Sequence, residues 1–202
     1  MSFQLYLVFV LASALLVATP GPNVALIVGT SLTHGGRTGL MAVAGVNVGL
    51  IIQLAVVAAG LSWLVDFFAR QFDTIRFIGA AYLLVLGIST LWKARKAMPV
   101  KPLSTERAFG RGFMVAFANP KTLIFQAAFL PQFLTDGEGR QQQLWLLAAT
   151  FAIIAAAGDA LWAVCAARAR AALSGRVQLI ADRVSGAILI AGAGVLLAAS
   201  RR

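Results

Sequence analysis

The chain has 202 residues, of which 60% are hydrophobic and only 12% charged, against roughly 45–50% apolar and about 25% charged in soluble domains. That balance excludes a soluble enzyme, a secreted disulfide scaffold and a nucleic-acid-binding module, despite a net charge of +10 and an isoelectric point near 11.3. At about 20 residues per crossing, the apolar content allows about six membrane spans and leaves little chain for anything else.

The first apolar run, residues 3–28, is too long for the h-region of a signal peptide, and no Lys or Arg precedes Arg37. It reads as a retained first span. The turn that follows, His34 to Gly39, is rich in glycine but lacks the Gly-Lys-Ser/Thr ending of a phosphate loop, so it reads as a tight turn. Further spans fall near residues 39–61, 72–92, 111–134, 144–167 and 180–199. Trp63, Trp92 and Trp145 sit at predicted span ends, where indole rings favour the headgroup boundary. The longest connection runs from Lys93 to Gly110 and contains Pro99 and Pro102; it reads as a solvated topology determinant rather than a docking patch for anionic lipid. Cys165 is the only cysteine and His34 the only histidine, which rules out an intramolecular disulfide and a histidine cluster for metal. No cofactor or metal is expected.

The basic residues set the orientation. Eleven of the 17 Lys and Arg fall in the connections after spans 1, 3 and 5, and five fall on the other side. Because Lys and Arg resist translocation, those three connections are expected in the cytoplasm and both termini outside.

The chain also carries an internal repeat. Arg76, Gly79, Ala80 and Gly87 in span 3 recur as Arg183, Gly186, Ala187 and Gly194 in span 6, and spans 1 and 4 are interrupted at Pro20 and Pro120. The expected fold is an all-α polytopic membrane protein: six transmembrane helices as two inverted three-helix repeats, with helices 1 and 4 broken at their Pro motifs. The whole of 1–202 is then one transmembrane domain, with repeat one about 1–92, a cytoplasmic loop about 93–110 and repeat two about 111–202.

Two breaks and two charges mark the candidate site. Thr19-Pro20-Gly21-Pro22-Asn23 in span 1 and Asn119-Pro120-Lys121 in span 4 cannot keep a continuous helical ladder. Freed backbone groups are tolerated in hydrocarbon only against protein or a water-filled cavity, so both breaks are expected to face the bundle interior. Each starts a half-helix whose free N–H groups suit a carboxylate. Lys121 and Asp159 are the ionisable side chains deep inside predicted spans, where each costs about 2.5–3.5 kcal/mol on insertion scales. Counting about 1.5 Å per residue from the span midpoints puts Lys121 roughly 2 Å, Asn47, Asn119 and Asp159 roughly 5 Å, and Pro20 to Asn23 roughly 6–10 Å from the midplane, all toward the basic loops. They form one expected polar cluster. Lys121 and Asp159 are either a mutually neutralising structural pair or the working charges of the site. Gln126, Gln53, Tyr82 and Thr30 are weaker candidates, since single polar side chains in spans more often make interhelical hydrogen bonds.

These residues resemble the lysine exporter (LysE/RhtB) family, in its homoserine/threonine exporter branch. The likeness covers nearly the whole chain and rests on Pro20-Gly21-Pro22-Asn23, on Gly35 to Gly39, on Ile75 to Gly87 with Gly79-Ala80-Ala81-Tyr82-Leu83, and on Asn119-Pro120-Lys121 followed by Leu130-Pro131-Gln132-Phe133. The resemblance implies a multi-pass protein of the cytoplasmic (inner) membrane that exports amino acids or close derivatives, driven by the proton gradient. Its partners are then the amino acid, protons and the bilayer, with assembly into a homo-oligomer left open.

The expected substrate-binding set is Pro20, Gly21, Pro22, Asn23, Asn47, Asn119, Pro120, Lys121, Gln126 and Asp159. The half-helix starts and Lys121 would hold the carboxylate, and Asp159 the ammonium or the coupled proton. Two other classes were weighed. A membrane-embedded enzyme acting on lipid would want an acidic pair, a metal cluster or a nucleophile with its base, and a small-cation or metal transporter would want several in-span acids or histidines; neither pattern is present in the sequence.

Overall fold

A computed structural model describes residues 1–59, 72–95, 102–135, 137, 139–172 and 175–198. Trp63, Arg70, Lys96, Pro99, Lys101, Arg201 and Arg202, which the sequence reading used for boundaries and charge, lie outside the described residues. Every described element is helical.

Helix α1 is Phe3–Ala18; Ser2 caps it by accepting from Leu5 N at 3.2 Å. It stops where Pro20 withholds an N–H, and α2, Pro22–His34, restarts the ladder with Ala25 N donating to Gly21 O at 2.8 Å. Pro22 stands at the first helical position, where its fixed φ is suited and its missing N–H costs nothing. The two helices meet at 50°, and the second continues to His34 rather than ending near residue 28. Gly35, at φ 91°, makes the turn into α3, Gly36–Ala58. Helix α4 is Phe72–Arg95, α7 is Arg140–Ala172 and α8 is Gly175–Ala198.

Residues 111–134 depart most from expectation. Helix α5, Thr105–Phe117, begins ahead of the predicted boundary on an Ser104 cap, and α6, Pro120–Ile124, is a single turn followed by a π-helical turn, Phe125–Phe129, and a 3-10 turn, Leu130–Phe133. Pro120 and Pro131 each delete a ladder hydrogen bond, which divides the segment. Among the described residues four helices are long and apolar enough to cross a membrane, five crossings if the bent α1–α2 pair is one span.

Packing follows the small residues. Helix α3 crosses α5 so closely that a side chain at Gly45 would strike the Phe109 carbonyl and one at Gly112 the Ala42 carbonyl. Helices α4 and α8 meet back to back: a Cβ on Gly87 would lie 2.8 Å from Gly186 O, and one on Gly186 2.9 Å from Gly87 O. Two other glycines of the internal repeat differ from these. Gly79 lies against Ala118, while Gly194 has nothing within 4 Å of a built Cβ. Small residues at such crossings let backbones approach where lipid gives no hydrophobic drive.

Apolar packing closes one end of the bundle. Phe9, Phe125, Phe133, Leu147 and Phe151 share a buried cluster with Leu50 and Leu54. The rings of Phe125 and Phe151 stack with centroids 4.3 Å apart, and Phe9 meets Phe133 edge-on at 5.2 Å. The opposite end gathers charge: the fields of Arg111 on α5, Arg170 near the end of α7 and Lys93 near the end of α4 all reach His34.

Candidate functional site

The break between α5 and α6 places the lysine. Asn119 Oδ1 accepts from Lys121 N at 3.0 Å, capping the half-helix that Pro120 opens, while Asn119 is fully buried. The Lys121 side chain then reaches across to the other break. Its Nζ donates to Leu16 O at 2.8 Å and to Thr19 O at 2.6 Å, the terminal carbonyls of α1. In an unbroken helix Leu16 O would accept from residue 20, which is proline; here it accepts from Thr19 N at 3.2 Å, and Lys121 adds a second donor. A Cβ on Gly21 would sit 3.5 Å from Lys121 Cδ and Cε, at ordinary contact distance, so the lysine stem lies along the break beside the glycine.

Helix α7 places the acid. Asp159 is 5% exposed, and Asn47 on α3 donates Nδ2 to its Oδ2 at 3.4 Å and to Val43 O at 3.0 Å. Lys121 and Asp159 line one pocket together with Asn23, Val24, Thr122 and Phe151. Among the described residues no salt bridge joins the two charges. Each is held by neutral partners, the lysine by carbonyls and the acid by an amide. The interior has room for little more than a water-sized occupant.

Three buried amide atoms near the pocket have no hydrogen-bond partner: Asn23 Oδ1, Asn47 Oδ1 and Asn119 Nδ2. Unsatisfied buried polar atoms cost stability and mark positions where a ligand or water completes the set.

The expected residues divide accordingly. Asn23, Lys121 and Asp159 line the pocket, Asn47 and Asn119 hold the charged pair in place, and Gly21 flanks the lysine. Pro22 and Pro120 are buried at the half-helix starts. Pro20, expected to face the interior, is exposed with Thr19, so the first break lies at the rim. Lys121 satisfies the freed carbonyls there, which removes the need for full burial. Gln126 is absent from the pocket lining; its Nε2 donates to Gln53 Oε1 at 3.0 Å. Sequence reading missed Thr122, whose position one residue after Lys121 was the available signal, and the backbone acceptors of Lys121, which no local pattern announces.

The LysE type translocator profile matches residues 14–200. A homoserine/homoserine lactone efflux protein of Salmonella typhimurium is 32% identical over 205 residues, covering 100% of this chain and 99% of its own. A leucine efflux protein of an Enterobacter species is 30% identical over 148 residues, covering 70% of this chain and 69% of its own. An uncharacterized membrane protein of Vibrio cholerae is 27% identical across the full length of both chains. No solved structure matches the chain. With broken helices around a charged pocket, a match across nearly its whole length and relatives in efflux, the chain belongs to the LysE type translocator family and is a membrane translocator.

Proposed function

We propose that this translocator exports amino acids or close derivatives from the cytoplasm by proton-driven secondary transport. The observation that carries the reading is the pocket holding Lys121 and Asp159 without a direct bond between them. A cation and an anion held apart by neutral partners match the two ends of a zwitterion. The carboxylate meets Lys121, which has a third N–H beyond the two given to Leu16 and Thr19, and the ammonium meets Asp159 with the free Oδ1 atoms of Asn23 and Asn47. Efflux of homoserine, homoserine lactone and leucine by the named relatives supports the substrate class.

Coupling follows from the same acid. Asp159 binds either a proton or the substrate ammonium, so arrival of one releases the other. The pocket must open alternately to each side, and the breaks at Thr19–Gly21 and Ala118–Asn119 are the places where the backbone gives. This reading takes 1–202 as one domain in the inner membrane, with six spans in two inverted halves and residues 111–134 as the divided fourth crossing. The basic end is cytoplasmic and both termini are outside. The paired proline breaks support that symmetry.

The test is efflux of a panel of radiolabelled amino acids from cells with and without the chain, repeated with the proton gradient collapsed. Chain-dependent efflux that stops with the gradient is expected. Equal efflux from both cell types for every compound would remove the reading.

A further inference from the structure

A second carboxylate stands apart from the pocket. Asp182, in the first turns of α8, is half-buried against α2, where Thr33 Oγ1 donates to its Oδ1 at 3.1 Å. Beneath it α2 is bare, because a Cβ on Gly29 would come within 4.0 Å of Asp182 Oδ1 and 3.0 Å of Ser185 Oγ. Ser185, one turn along, is already committed to Ala25 O at 2.5 Å. Among the described residues no cation pairs with Asp182. A carboxylate retained in a segment read as a span, with one neutral donor, is costly unless something else neutralises it.

Cations are close at hand but turned elsewhere. Thr33 precedes His34, and His34 is the focus of Arg111, Arg170 and Lys93. Arg170 lies against the turn, since a Cβ on Gly35 would meet its Nη1 at 2.8 Å. Two adjacent residues at the end of α2 therefore face charge of opposite sign: Thr33 an acid, His34 a group of bases. From Thr33 to Asn23 is ten residues of one helix, about 15 Å, so this end stands one half-helix away from the pocket.

We propose that the Asp182 carboxylate is an outer subsite for the ammonium of the amino acid at the basic end of the bundle, with the cations around His34 receiving its carboxylate. The proposal rests on the amino-acid export reading and extends it. Substrate gathers at the basic mouth in the same head-to-tail sense in which the inner pocket takes it, and the outer site sets apparent affinity without taking part in the translocation step.

Uptake of labelled leucine and homoserine into everted membrane vesicles containing the full chain tests this, because the cytoplasmic face is then outermost. Rates are normalised to the amount of chain in the membrane. Asp182→Asn keeps an acceptor for Thr33 and removes only the charge. We expect its half-saturating concentration to rise about tenfold, the scale of one charged hydrogen bond, with the maximal rate within about twofold of the parent. Asp182→Glu should restore affinity, and Thr33→Val, which deletes the hydrogen bond but leaves the acid, should stay within about twofold. An unchanged half-saturating concentration in Asp182→Asn, or a Thr33→Val effect as large as that of Asp182→Asn, overturns the subsite while leaving export intact. A parent chain that carries neither amino acid overturns the export reading and the subsite with it.

Discussion

Gln53 Nε2 on α3 donates to the carbonyl of Ala116 at 3.2 Å, the acceptor that would have bonded residue 120 had that residue not been proline. Lys121 does the same for Leu16 at the other break, four residues before Pro20. Each interruption is thus repaired by a side chain from a different helix. The two repairs differ in kind: a neutral amide serves the buried break and an ammonium the one at the rim. Gln53 is fixed in turn by Gln126, whereas Lys121 also faces the pocket.

Gln53→Leu should destabilise the protein without touching the pocket. It removes the donor for a buried carbonyl and leaves Gln126 Nε2 without its acceptor, and one such buried group costs about 1–3 kcal/mol. Thermal unfolding in detergent should show a lower Tm, while the half-saturating substrate concentration of the surviving folded protein stays at the parent value. A large change in that concentration would place Gln53 among the binding groups instead.

Lys121→Met should abolish transport, and Lys121→Arg should recover part of it. The methionine fills the space beside Gly21 but offers no donor to Leu16, Thr19 or a carboxylate. Rates at least tenfold below the parent are expected for Met. Efflux by Lys121→Met at the parent rate would show that the ammonium only braces the break.

Asp159→Asn should uncouple the translocator. Asn47 Nδ2 can still donate to the amide oxygen, so the local packing survives. Gradient-driven accumulation in vesicles should be lost while exchange of labelled for unlabelled substrate persists. If accumulation stays at the parent rate in a correctly inserted variant, the coupling group lies elsewhere.

The α4–α8 crossing gives a prediction of graded sign. Gly87→Val pushes a branched side chain into Gly186 O and Ile190, and overpacking of this kind costs about 1–3 kcal/mol. Gly194→Ala, with nothing within 4 Å of the new methyl, should leave Tm unchanged or raise it, since alanine favours helix over glycine. Comparing the two by thermal unfolding checks the crossing directly.

Much of the architecture was legible because its determinants are local. Proline lacks an N–H in any context, so Pro20, Pro22 and Pro120 announce interruptions whatever surrounds them. The route of Lys121 was not legible, since its acceptors lie 105 and 102 residues away and exist only once the two halves dock. Within residues 111–134 the cut at Pro120 was legible but the one at Pro131 was not, because window averages register apolarity and not backbone continuity. Gln126 carried the right chemistry for a pocket, but which way a residue faces within a π-helical turn does not follow from a 3.6-residue period. Asp182 sat at a predicted boundary, and its contact with Thr33 depends on how α2 and α8 cross.

Helix α7 has 33 residues and so measures about 50 Å, against roughly 30 Å of hydrocarbon. Lying at a steep slant or standing proud of the bilayer are its two options, and it carries Asp159 near its middle. Acyl-chain length therefore becomes a control on the protein: thinner membranes favour more lean, thicker ones less, and every change in slant carries the acid with it. Turnover in vesicles of graded lipid thickness should pass through an optimum, making the surrounding bilayer a regulator in its own right.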